Sequence, residues 1–217
     1  MARLSVIIPA LNEAEEIDGT LRAARGALGP HTEIILADGG STDGTQSRAA
    51  RYARIVQTDA GRGRQLNTGA REAVGEILLF LHADTHLPAG ARAAIEAALS
   101  SSAVVGGAFR FALRGPTRAR LMARLLEAGV NARSRLFRTA TGDQAIFCRR
   151  EAFHAVGGFA PLPLFEDVDL YHRLQRLGRM LILPLAARTS DRRWRERGIA
   201  RTMLLHWALR AAYASSR

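Results

Sequence analysis

The sequence predicts an α/β domain built on a mostly parallel central sheet flanked by helices. Three observations predict it. Short β-branched runs alternate with helical patterns through the first third of the chain, which is the arrangement of βαβ units. The run Ile77-Leu78-Leu79-Phe80-Leu81 is apolar at every position, as a central strand covered on both faces must be. Polar and turn-forming residues gather just after the strands, where ligands bind in open α/β sheets. A chain of 217 residues, 47% hydrophobic and 24% charged, suits one such domain with a single core.

Leu4 to Ile8 reads as the first buried strand. Glu13 to Leu28 carries helical spacing, with Ile17, Leu21, Ala24 and Leu28 on one face and Gly29-Pro30 as the stop. A second strand spans Glu33 to Ala37. The turn Asp38-Gly39-Gly40-Ser41-Thr42-Asp43-Gly44 follows, with side chains suited to cap a helix beginning near Thr45. Arg54 to Gln57 is a short third strand, Gln65 to Val74 a helix, and Ile77 to Leu81 the central strand. An Ala-rich helix at 90–100 and a longer strand from Val104 to Leu113 come next. The chain continues with a basic helical stretch at 118–137, a strand at Ala145 to Cys148, and a short helix at 150–156. A helix from Asp167 to Leu177 turns Leu170, Leu174 and Leu177 to the core; beyond a polar stretch at 188–198, Ile199 to Tyr213 is helical again.

The formal net charge is +11, and all 31 basic residues are arginines. Without lysine, neither a Walker A phosphate loop nor a Schiff-base enzyme can be built. Eight arginines lie in 110–138 against Glu127, and eight in 188–217 against Asp191 and Glu196, leaving 15 arginines against 17 acids elsewhere. The charge therefore belongs to two segments. Confined charge and only 6% aromatic residues argue against a nucleic-acid partner. An anionic membrane surface suits the C-terminal stretch, where Trp207 and Tyr213 accompany a cluster of arginines. The alternative for that helix is packing on the domain or on a second subunit, as in a homodimer. Cys148 is the single cysteine, in an apolar strand, so no disulfide framework exists and a reducing compartment is expected. The apolar run near the start is too short for an export signal, so the expected location is cytoplasmic, with peripheral attachment to the inner face of the cell membrane.

Gly61-Arg62-Gly63 lacks the third glycine of a dinucleotide fingerprint and does not follow the first strand. Four other motifs occur in order: SVIIPALNE at 5–13, ADGGSTDGT at 37–45, GRGRQLNTGAREAVGEILLFLHADT at 61–85 and GGFAPLPLFEDVDLYHRL at 157–174. Together they resemble glycosyltransferase family 2, the inverting enzymes of the GT-A fold, over residues 4 to 180. The short second half is similar to a compact bacterial subgroup linked with arsenosugar biosynthesis.

The resemblance implies a Rossmann-like GT-A domain with a nucleotide-sugar-binding half at 1–102, a small acceptor-binding half at 103–187 and a basic amphipathic segment at 188–217. It implies that Pro9, Leu11 and Glu13 cradle a nucleobase and ribose, and that Asp38 accepts the imide N–H of a uracil. Read alone, Glu13 is also a helix N-terminal acid and Asp38 a turn residue. Family members often carry two acids where this chain has Asp38-Gly39. The family's Asp-X-Asp motif falls on His82-Ala83-Asp84, leaving Asp84 as the hard oxygen ligand for Mg2+ or Mn2+. His82, in place of the first acid, suits a ribose hydroxyl or a structural role. Arg62, Gln65 and Asn67 match the loop that approaches the nucleotide and diphosphate. Asp167 matches the catalytic base of the Glu-Asp motif, and Glu166 and Asp143 the acceptor side. Of the Gln-X-X-Arg-Trp motif only Arg193-Trp194 is present, so no processive polymerase is implied.

The expected activity is transfer of a sugar from a nucleoside diphosphate donor, a uridine diphosphate sugar, to a hydroxyl acceptor, either a small molecule or a lipid. The rival classes are a nucleotide-sugar-binding or regulatory protein that has lost catalysis, which the His82 substitution favours, and a nucleic-acid binder.

Overall fold

A computed structural model describes residues 3–115 and 120–192. Strand β1 (Leu4–Ala10) leads into helix α1 (Ile17–Leu28), followed by β2 (Glu33–Asp38), α2 (Thr45–Ala49) and β3 (Arg54–Gln57). Then come α3 (Arg62–Glu72), β4 (Ile77–Phe80), β5 (Thr85–His86), α4 (Ala91–Ala98) and β6 (Val104–Arg114). The remainder is α5 (Arg120–Leu136), a 3-10 turn (Gly142–Gln144), β7 (Phe147–Arg149), α6 (Arg150–Ala155), α7 (Glu166–Gln175) and β8 (Arg179–Ser190).

The described strands form one eight-stranded mixed sheet in the order β3-β2-β1-β4-β7-β6-β8-β5. β3, β2, β1 and β4 are mutually parallel. β7 runs antiparallel to both β4 and β6, β8 is parallel to β6, and β5 closes the edge antiparallel to β8. Strand order reverses at β1, between β2 and β4, and in open α/β sheets ligands bind at the carboxyl ends of strands beside such a reversal.

Alternate residues of each strand face opposite layers. Val6, Ile8, Ile34, Leu36 and Leu79 pack against Ile17, Leu21 and Leu28 of α1 and Ile95 of α4. Ile7, Ile35, Leu78 and Phe80 pack against Leu66 of α3, Phe153 of α6 and Leu170 of α7. Helix α3 lies close to β1 because Gly69 has no side chain: a Cβ there would sit 2.5 Å from Ile7 Cγ2. As expected, β4 is central and fully buried, and Cys148 is a core residue.

Two expectations are corrected. Leu177 lies beyond the end of α7 and is 49% exposed, because the helix stops at Gln175; Val168, Leu170, Tyr171 and Leu174 are its buried apolar residues. Long strand β8 is not foreseen by local periodicity, and it extends through Arg188, Thr189 and Ser190, which the sequence places in a polar stretch. The helix expected at 199–213 and Arg193-Trp194 lie outside the described residues. No helix among the described residues is long and apolar enough to cross a membrane.

Candidate active site

The loops after β1 and β2 are sewn into one surface. Asn12, at φ 55°, donates its N–H to the Ser41 hydroxyl and accepts from Thr42 N, both at 2.9 Å. Glu13 N donates to Thr45 Oγ1 and Ala14 N to Asp43 Oδ2, also at 2.9 Å. Buried Asp38 ends β2 and anchors the second loop. Its Oδ2 accepts from Gly40 N, Ser41 N and Gln46 Nε2 at 3.0, 2.8 and 2.8 Å, and Oδ1 from the Ser41 hydroxyl at 2.5 Å. Burial pushes this carboxyl up, but the hydrogen bonds from Ser41, Gln46 and Gly40 outweigh it and hold its pKa below the usual value. Pro9 lies within β1 and Leu11 just past its end, with 45% of the Leu11 surface exposed.

Gln65 reaches the same floor from α3. Its buried amide donates to Ala10 O at 2.8 Å and Ala37 O at 3.0 Å, clamping the ends of β1 and β2 together. Asn67, two residues on and so on the opposite side of α3, donates to Phe159 O and accepts from Phe159 N. Both therefore shape the site through backbone contacts, and the amide of Asn67 is committed to the turn ahead of α7.

Arg62 opens α3, and its Nε donates to Glu166 Oε1 in the first turn of α7. Burial works against the guanidinium's charge, but Glu166, Asp167 and Asp143 together raise its pKa above the ordinary value. Three sequence-predicted acids are thus gathered around one cation. Glu166 Oε2 is buried and takes no hydrogen bond among the described residues. Asp167 is buried; its Oδ2 accepts from Gly142 N at 2.6 Å and its Oδ1 from Val168 N at 2.7 Å. Phe165, at φ 63°, turns the chain into the helix just before these acids.

His82 Nδ1 lies 2.9 Å from Asp143 Oδ1, and its ring packs on Gly142, where a Cβ would collide with it. Asp84 is buried at the next turn; its Oδ1 accepts from the Thr85 hydroxyl at 3.3 Å and its backbone oxygen from Ser190 N at 3.0 Å. Arg192 reaches back to Glu13, Nη2 to Oε2 at 2.6 Å, and Arg114 reaches Glu16 at the same distance. Glu13 is therefore ion-paired as well as placed beside the loop that follows β2. Glu16, Arg114, Thr189 and Ser190 carry no local sequence signal; they join the site from elements distant in the chain.

Among the described residues, no group of three or more His, Cys, Asp or Glu could hold a metal alone. Asp84 supplies one hard carboxylate. That donor set fits Mg2+ or Mn2+ arriving with phosphate oxygens and water, and does not fit a closed zinc cage. Two cavities of about 620 and 450 Å3 open elsewhere, at the amino ends of β4 and β1, and none of the acids above lines them.

Residues 5–160 match the family described as glycosyl transferase family 2. The chain belongs to that family. Among curated relatives, glycosyltransferase AglE of Haloferax volcanii is 36% identical over 91 residues, 37% of this chain and 30% of that protein. Glucosyl-3-phosphoglycerate synthase of Mycolicibacterium smegmatis is 34% identical over 92 residues, with the same shares. The matched stretches thus span less than a third of these relatives. Mannosyltransferase PcManGT of Pyrobaculum calidifontis, solved with GDP-Man and Mn2+, superposes with TM-score 0.63 at 25% identity, covering 86% of this chain and 56% of that one. Glucosyl-3-phosphoglycerate synthase of Mycobacterium tuberculosis, solved with Mn2+, UDP and glucosyl-3-phosphoglycerate, gives TM-score 0.62 at 25% identity, covering 85% and 70%. For this family 2 chain the matched region stops at residue 160, ahead of Glu166 and Asp167. The α7 acids are tied to it by Arg62 and Gly142.

Proposed function

We propose that the chain transfers a sugar from a nucleoside diphosphate donor, a uridine diphosphate sugar, to a hydroxyl acceptor with inversion at the anomeric carbon. The observation that carries this reading is the cluster in which Arg62, from the donor-side loop, holds Glu166 while Asp167 and Asp143 share its field. It brings a phosphate-compatible cation and three carboxylates to the carboxyl ends of β1, β2 and β4. The stitched loops at 11–14 and 38–45 form a floor for the nucleoside, with Leu11 offering an apolar face and Asp38 a carboxylate at its root. Solved neighbours that hold UDP or GDP-Man with Mn2+ support a nucleotide donor and a divalent cation.

Asp84 is the residue that would hold Mg2+ or Mn2+. When bound, the ion neutralises charge on the departing diphosphate. Asp167 takes the proton of the acceptor hydroxyl as its oxygen bonds to the anomeric carbon and the bond from that carbon to the diphosphate oxygen breaks. Two backbone N–H groups fix the Asp167 carboxylate in place. Glu166, bound to Arg62, stands beside it on the acceptor side.

The test is nucleotide release and product formation with a panel of uridine diphosphate sugars and Mn2+, the product anomer being read by NMR. Asp84→Asn should lose metal-dependent turnover. Asp167→Asn should bind nucleotide with parental affinity and lose about 10²–10⁴-fold in kcat. Normal turnover by Asp167→Asn would remove it as the base. Nucleotide-sugar binding without transfer to any acceptor would replace this reading with that of a binding protein.

A further inference from the structure

Helix α5 is apolar on two faces. Its inner face buries Ala123 and Leu126, and Asn131 exchanges hydrogen bonds of 2.9 Å with both backbone groups of Phe111. Glu127 accepts from Leu113 N, and Ser134 donates to Gln144 in the turn that carries Asp143. The outer face carries Leu121, Leu125 and Leu136, at 73, 59 and 76% exposure, and Phe137 follows at 67%. Ala128 and Ala132 lie between them at steps of three and four residues, so the stripe runs the length of the helix. The solvent side of a surface helix is ordinarily polar, and a continuous apolar stripe marks a contact surface.

Charge decides what covers it. Arg124 and Arg135 flank the stripe and are exposed, within a segment that holds eight arginines against Glu127. A second copy would bring the same positive face against this one. Residues 193–217 carry six arginines against Glu196, so that part of the chain has the same sign. An anionic lipid surface has the opposite sign and an apolar interior directly beneath it. We infer that α5 lies along an anionic bilayer, its leucines and Phe137 at the boundary between headgroups and acyl chains, and Arg124 and Arg135 on lipid phosphates. The Ser134–Gln144 bond couples that contact to the Asp143 turn.

Co-sedimentation of the full chain with two kinds of vesicle tests this, one of phosphatidylglycerol and phosphatidylcholine in equal parts, the other of phosphatidylcholine alone. The parent should pellet with the anionic vesicles and stay in solution with the neutral ones. Leu121→Glu with Leu125→Glu changes two exposed positions, so circular dichroism should be unaltered while vesicle partitioning falls about tenfold or more. Arg124→Gln with Arg135→Gln should weaken binding and flatten its salt dependence. The inference is overturned if the parent fails to pellet, if the leucine pair variant pellets like the parent, or if the parent is a dimer that this variant splits. Sedimentation reads out lipid binding whether or not the chain transfers a sugar.

Discussion

The side-chain amide of Asn67 and the backbone of Phe159 exchange two hydrogen bonds of 2.8 Å each, across 92 residues of sequence. The amide acts as a short strand partner and locks α3 to the turn ahead of α7. Gly158 makes room, since a Cβ there would lie 2.6 Å from Asn67 Oδ1, and its φ of +71° also favours glycine. Asn67→Ala should lower stability by about 1–3 kcal/mol, as both backbone groups of Phe159 lose their partner. Urea midpoints at constant slope measure it; an unchanged midpoint would show that the exchange contributes nothing.

Gly142→Ala should act through His82. The added methyl collides with the imidazole, so either the ring moves away from Asp143 or the turn bearing Asp143 moves and takes Gly142 N from Asp167. Turnover should fall at least about tenfold, since misplaced catalytic groups lose rate steeply. Adding His82→Ala should recover part of that loss. Strict additivity of the two changes in a double-mutant cycle would exclude the collision as the cause.

Removing Arg62 strands a buried carboxylate. Glu166 has a side chain only 2% exposed while that of Arg62 is 37% exposed, so solvent screens part of the loss and Arg62→Gln should destabilise by about 1–3 kcal/mol, less than a fully buried pair would. Glu166→Gln in the same chain should return most of the stability without restoring transfer. Thermal unfolding of the two variants distinguishes this from a merely solvated pair, for which neither change would matter.

Acid should unfold the protein partly through Asp38 and Glu16. For both, burial raises the pKa, but the hydrogen bonds to Asp38 and the bonds from Arg114 and Ser190 to Glu16 prevail, and both carboxyls end below their ordinary values. A depressed carboxyl stabilises fully above its unfolded pKa, about 4, and that contribution drains away as pH falls through the lower folded value. Urea midpoints between about pH 6 and pH 3 should therefore decline. In Asp38→Asn the decline should be shallower; an equal slope would exclude Asp38 as a source.

The parallel half of the sheet was legible because its signals are local. Ile17, Leu21, Ala24 and Leu28 fall on one helical face, and Ile77 to Phe80 is apolar throughout, so their burial follows from spacing alone. Strand β8 was not, and Pro184 is one reason. The register jumps there, from Ala108 opposite Ile182 to Arg110 opposite Ala186, and an irregularity of this kind tolerates a residue without an N–H. The acids of the site could be named from motifs, but not their mutual arrangement. Arg62 and Glu166 are 104 residues apart, and Ser190 donates to Glu16 across 174. No pattern within a helix or strand encodes such pairs.

The position of β7 has a consequence for synthesis. One edge of β4 is covered by β1, which precedes it, and the other only by Phe147–Arg149. A nascent chain ending near residue 102 would present the bare edge of its most apolar strand, the kind of template that recruits other chains. Residues 1–102 are thus not a unit that can wait safely for the rest of the chain, and their expression alone should yield aggregate rather than a compact module.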